Sequence, residues 1–159
     1  MGRPQPIPDW PAVLARGGRW SALVRAASRP AAVPQGGLAF LAAPYLAEVS
    51  IRAEWRADRA ARMGMAIARE LIRLRAHGVT AVCPVLIQDW MMTAAPLAHG
   101  LVVGQSREDW EAWARPMLHA SQVLVVPDLQ GWDRCPTIRA QVGWALDHNL
   151  PVHVYAGRV

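Results

Sequence analysis

The stretch Gln122–Tyr155, QVLVVPDLQGWDRCPTIRAQVGWALDHNLPVHVY, decides the fold. Gln122–Val126 is a short β-branched apolar run, Pro127–Cys135 is turn-rich, Pro136–Asn149 has helical spacing, and Leu150–Tyr155 is a second apolar run. This is a strand–loop–helix–strand unit. In open α/β sheets, ligands bind where a loop leaves the carboxyl end of a parallel strand and opens onto a helix N-terminus. Both edges of the helix are marked: Pro136 suits the first helical position, where its missing N–H costs nothing, and Asn149 before Leu-Pro is a stop signal. Ile138, Val142, Ala145 and Leu146 share one face and are expected to pack on the sheet. Gln141 lies off that stripe, on a flank that can look toward the loop.

Working outward, Leu38–Ala42 (LAFLA) reads as the first buried strand, turned at its end by Ala43-Pro44-Tyr45 because Pro44 forces its predecessor out of helical geometry. A long helix is predicted from about Ile51 to His77, with Ala60, Met63, Gly64, Ile67, Leu71 and Leu74 inward and Gly78 as its stop. Thr80–Val85 is the second strand. A short helical piece near Asp89–Met92 precedes a loop marked by Pro96, Gly100 and Gly104. Ser106 with Asp109 resembles a capping box and opens a helix to about Ala120. Strands alternating with helices predict an α/β fold, a Rossmann-like α/β/α sandwich around a central parallel sheet of four to five strands. Residues 1–36, rich in Pro, Gly and Arg, read as an N-terminal extension, with a short helix around Trp20–Ala27 and a role as an arm onto a neighbouring subunit. Residues 37–159 form the domain.

With 159 residues, 53% of them hydrophobic, the chain can bury roughly two-thirds of its unfolded surface. Cys83 and Cys135 have neither metal nor disulfide spacing, which predicts reduced thiols and a cytoplasmic protein. No apolar run approaches a membrane span, and MGRPQPIPDWP has no apolar leader segment. The net charge of +5 invites a nucleic-acid reading. The distribution argues against it, because the arginines run from Arg3 to Arg158 and the densest set is interleaved with Glu54, Asp58 and Glu70, as on a solvated helix face. An anionic small molecule fits the charge equally well. Surplus tryptophans and the Pro-rich arm predict a homo-oligomer.

Several chemistries are set aside on residue grounds. There is no phosphate-binding G-x-x-x-x-G-K-[ST], no lysine, no dinucleotide fingerprint after the first strand and no H-x-x-x-H pair, so neither a metal nor a cofactor is expected. Gly131-Trp132-Asp133 is more informative. It places a hinge, a flat ring and a carboxylate beside a helix N-terminus, where a ring can stack on a base and a carboxylate can accept from sugar hydroxyls. Tyr45 falls nearby if the first and third strands are neighbours. Cys135 occupies the N-cap of that helix, a position that promotes thiolate character.

LAFLAAPY, a long helix, a strand ending in Cys83-Pro84, a Trp-bearing helix, and then VLVVPDLQGWDRCPTIRAQVGWALDHNLPV together resemble the nucleoside 2-deoxyribosyltransferase-like proteins. The nearest likeness is to a bacterial and phage domain-of-unknown-function branch with a tail of the form GW-x-x-S-x-G-[VI]-x-x-E-x-x-x-A. The resemblance runs from Leu38 to Tyr155. It implies a flavodoxin-like sandwich, frequent oligomers, and cleavage or exchange of an N-glycosidic bond through a glutamate that attacks the anomeric carbon. By position, Pro44, Tyr45, Gly131 and Trp132 fit. The serine expected before the proline is Ala43, the small polar cap is Cys135, the following glycine is displaced by Thr137, the acid before the third strand is Ser121, and the nucleophile falls on Gln141. An amide keeps a carboxylate's size but is a very poor nucleophile.

The sequence therefore predicts nucleoside or nucleotide binding in a deoxyribosyltransferase-like pocket. Gln141 and Asp133 stand in the catalytic positions, and Pro44, Tyr45, Asp89, Gly131, Trp132 and Cys135 are in contact with substrate. N-glycosidic hydrolysis or transfer would need a rearranged carboxylate: Asp89, Asp133 or Asp128. The competing expectations are a non-catalytic nucleotide-binding protein and an oligomeric interaction protein. Asp133 discriminates among them, since a carboxylate pointing to solvent favours binding over catalysis.

Overall fold

The computed structural model describes residues 8–26, 29–52, 54–97 and 106–155. In chain order, the helices are α1 (Trp10–Leu14), α2 (Leu46–Val49), α3 (Ala57–Ala76), α4 (Pro84–Ala94), α5 (Arg107–His119) and α6 (Pro136–Asp147). The strands are β1 (Val24–Ala26), β2 (Leu38–Leu41), β3 (Ser50–Ile51), β4 (Glu54–Trp55), β5 (Thr80–Val82), β6 (Val123–Val126) and β7 (Val152–Val154). Five of these strands form one parallel sheet in the order β1-β7-β6-β2-β5. Strands β3 and β4 make a small antiparallel hairpin apart from it.

The alternation of each strand divides the core. Phe40, Leu124, Val126, Val152 and Val154 face one side, where Ile138, Val142, Ala145 and Leu146 of α6 and Leu118 of α5 cover them. Ala39, Leu41, Val123 and Val125 face the other, against Ile67 and Leu74 of α3. Each large aliphatic side chain buried this way contributes about 1.5–3 kcal/mol, so the apolar stripe of α6 alone holds that helix to the sheet. The stripe predicted for α6 is the one observed, and Asn149, with φ of 56°, terminates the helix in the left-handed region.

After β2 the chain crosses by α3 to β5 on one side; it then returns by α5 to β6 on the other side of β2. The connection therefore reverses between β2 and β6, which pair through Ala39↔Val123, Phe40↔Leu124 and Leu41↔Val125. The loops leaving their carboxyl ends part there and open a crevice.

Several expectations need correction. Val24–Ala26 is a strand, not part of a helix around Trp20–Ala27, because the free edge of β7 supplies parallel partners from Val152 to Val154. The described part of the N-terminal segment also lies on its own sheet: Val13 is buried on one face and Val33 on the other. The helix expected from Ile51 begins at Ala57, since Ser50–Trp55 is taken up by the β3–β4 hairpin. The second strand stops at Val82 because Pro84 starts α4, a longer helix than the piece expected near Asp89. The loop around Gly100 and Gly104 lies outside the described residues.

Candidate functional site

At the crevice, a cavity of about 180 Å3 lies between β2, α4, α5 and the start of α6. Its walls are mostly apolar: Phe40, Tyr45, Pro84, Trp110, Trp113 and Ala114. The Trp110 and Trp113 rings meet edge-on at 5.7 Å. Both line the cavity, although three residues apart on α5, because that helix presents its broad aromatic face to the end of the sheet. The polar residues in the lining are Gln88, Arg107, Glu111, Cys135, Thr137 and Gln141.

Tyr45 is 4% exposed. Its hydroxyl donates to the Asp89 carboxylate at 2.5 Å and accepts from the Trp55 indole N–H at 3.0 Å. Burial, followed by the Asp89 bond, raises the phenol well above its ordinary value, so it stays protonated. Asp89 is buried as well, but it does not line the cavity; it reaches the site only by holding Tyr45. Gly64 of α3 packs on that carboxylate, and a Cβ there would stand 3.1 Å from Oδ2.

On the opposite wall, Glu111 of α5 accepts from the Thr137 hydroxyl at 2.8 Å and pairs with Arg107 at 3.4 Å. The carboxylate is thereby fixed against the first turn of α6, where the helix dipole favours negative charge. Gln141, one turn further along α6, lines the same space and leaves its buried Oε1 without a partner among the described residues. Gln88, 5% exposed on α4, likewise has a buried Nε2 with no partner among the described residues. An unmet buried amide group costs about 1–3 kcal/mol.

The residues singled out from the sequence divide into two groups. Tyr45, Cys135 and Gln141 line the cavity. Pro44 is buried beside it, and Asp89 lies one hydrogen bond behind it. Gly131, Trp132 and Asp133 do not reach it. Gly131 adopts φ of 82° and leaves room for the Glu48 carboxylate, which a Cβ would strike. Trp132 turns toward the N-terminal segment, meeting Trp10 edge-on at 4.7 Å, so the crevice that it was expected to share with Tyr45 is not shared. Asp133 is exposed and contributes its backbone carbonyl to the Trp10 indole N–H at 2.7 Å; Asp128 is exposed too. The Cys135 expectation is also reversed. Burial, which outweighs the bonds from the backbone of Ile138 and Thr137, pushes its thiol up, with Glu111 and Glu48 adding to the rise. Cys83 is buried and pushed up to about 12.

A family described as Domain of unknown function (DUF1937) matches residues 37–157. The chain belongs to that family. No curated protein and no solved structure matches it. The family segment contains every residue of the cavity, from Phe40 to Gln141, and leaves out α1 and β1.

Sequence reasoning missed Gln88, Arg107, Glu111, Trp110 and Trp113 as site residues. Arg107 and Glu111 are spaced i,i+4, which reads as an ordinary surface pair. Gln88 fell in a stretch without clear periodicity. Among the described residues, no group of three or more His, Cys, Asp or Glu side chains converges as a metal site requires, and no helix is long and apolar enough to cross a membrane.

Proposed function

We propose that the cavity binds a nucleoside or nucleotide through its base. The observation that carries this reading is the pair of buried amides. Gln88 and Gln141 each hold a polar atom without a partner among the described residues, on the lining of an otherwise largely apolar, aromatic-walled space. A planar heterocycle bearing a donor and an acceptor on its edge would satisfy both amides, and its faces suit aromatic walls. The position at the switch between β2 and β6 and the resemblance to deoxyribosyltransferase-like proteins support the same reading. The test is calorimetry against a panel of nucleosides and nucleoside monophosphates, with chromatography for released base in the same samples. Gln88→Leu and Gln141→Leu are each expected to weaken binding about 5- to 150-fold, the equivalent of roughly 1–3 kcal/mol. Failure of every panel member to bind wild-type protein would reject the proposal.

N-glycosidic cleavage or transfer is the second reading, and one observation favours it. Glu111 brings a fixed carboxylate to the cavity that Gln141 also lines, whereas Asp133 and Asp128 face solvent. Glu111 could then occupy the role that the resemblance gives to the residue at Gln141. Treatment with a 2-fluoro sugar analogue and mass spectrometry should find an adduct on Glu111 in wild-type protein, or on residue 141 in Gln141→Glu; ligand binding with no adduct in either rules out covalent catalysis.

The proposal includes a cytoplasmic homo-oligomer. Ile72 and Trp90 are 66% and 64% exposed, apolar surface of the kind a partner subunit covers. A monomer mass from light scattering at micromolar concentration would exclude self-association.

A further inference from the structure

The cavity continues. A second compartment of about 440 Å3 runs between α5 and α6 and shares Phe40, Glu111, Ala114, Thr137 and Gln141 with the first, so the two are one cleft. Beyond the shared residues its walls include Arg115, His119 and Trp144. The charges along α5 decide what each part can hold. Arg107, at the first compartment, is committed to Glu108 at 3.1 Å and Glu111 at 3.4 Å. Glu111 stands at the junction and repels an anion. Arg115 makes no ion pair with any described residue and is exposed at the second compartment.

The indole of this compartment is already engaged in stacking. Trp144 is stacked with His119, with ring centroids 4.5 Å apart and planes 10° apart, and with His148, at 4.1 Å and 19°. Trp144 is a wall, not a platform. What remains is an uncommitted guanidinium, the donor group suited to a phosphate, beside an imidazole. Arg115 lies one helical turn past Glu111, about 6 Å along the axis, a separation of the size of the sugar between a base and its 5′-phosphate.

We propose that the cleft takes a nucleoside 5′-monophosphate in preference to a nucleoside, with the base in the first compartment and the phosphate in the second, on Arg115 with His119 beside it. The placement of the base rests on the function proposed above; the anion site does not. Calorimetry with a nucleoside, its 5′-monophosphate and inorganic phosphate separates the two. For wild-type protein the monophosphate should bind at least about tenfold more tightly than the nucleoside, and added salt should weaken the monophosphate selectively. Arg115→Gln should bring the monophosphate down to the nucleoside's affinity and leave the nucleoside unchanged. Inorganic phosphate binding that Arg115→Gln removes, without any nucleoside binding, would keep the anion site and overturn the base reading alone. Equal affinity of nucleoside and monophosphate for wild-type protein, or equal weakening of both by Arg115→Gln, overturns the inference, as does the absence of binding in all three arms.

Discussion

His153 shows how one side chain couples this fold to pH. It sits on β7 beside Arg25 of β1, 5% exposed, with Nδ1 unpartnered among the described residues. Burial, helped by the Arg25 charge, lowers its imidazole below the ordinary value of 6.5. The unfolded chain therefore binds a proton that the folded chain resists. Its contribution to stability is complete above pH 6.5 and is lost as pH falls toward the depressed folded value. Urea unfolding at about pH 8 and about pH 5.5 should show wild-type protein losing stability at the lower pH and His153→Leu losing less. Identical losses in the two proteins would remove His153 from the account. The same scale explains why Gln141 was legible and Glu111 was not. Gln141 had a position in a recognisable pattern, whereas the value of Glu111 depends on Thr137, 26 residues away, being within hydrogen-bond reach.

Helices with strong local signals appeared where expected. In α5 the Ser106 hydroxyl accepts from the Asp109 backbone N–H at 3.1 Å, and the Asp109 carboxylate accepts from the Ser106 N–H at 3.4 Å, completing the capping box. Ser106→Ala should cost about 1 kcal/mol, read as a lower urea midpoint with unchanged slope; no shift would mean that packing alone holds the first turn. Because α5 carries Trp110, Glu111 and Arg115, fraying of this helix end should also weaken ligand binding. The elements that escaped the sequence are short ones. Strand β1 has three residues, and the β3–β4 hairpin has two on each side. Such pieces are too brief to carry a period, and only their partners define them.

At the scale of the molecule, the N-terminal segment is a working part of the sheet. β1 pairs along the whole of β7, Val13 is 2% exposed and Val33 is 4% exposed. The fragment 37–159, which begins where the family match begins, should unfold at a lower urea concentration than the full chain and aggregate through the bared β7 edge. Equal stability of the two would show that β1 is dispensable. The residues by themselves determined the alternation of strands and helices and the inward stripe of α6. These follow from periodicity and from continuous apolar runs, properties that each segment carries locally. Only the tertiary structure decided that Tyr45 and Gln141 line one cavity while Trp132 turns to Trp10, that Cys135 is a half-buried thiol on the cavity wall, and that Arg107, Glu111 and Arg115 border the cleft beside α6. The reason is physical: which flank of a helix meets a neighbour depends on how the helices pack on the sheet, and no single segment encodes that packing.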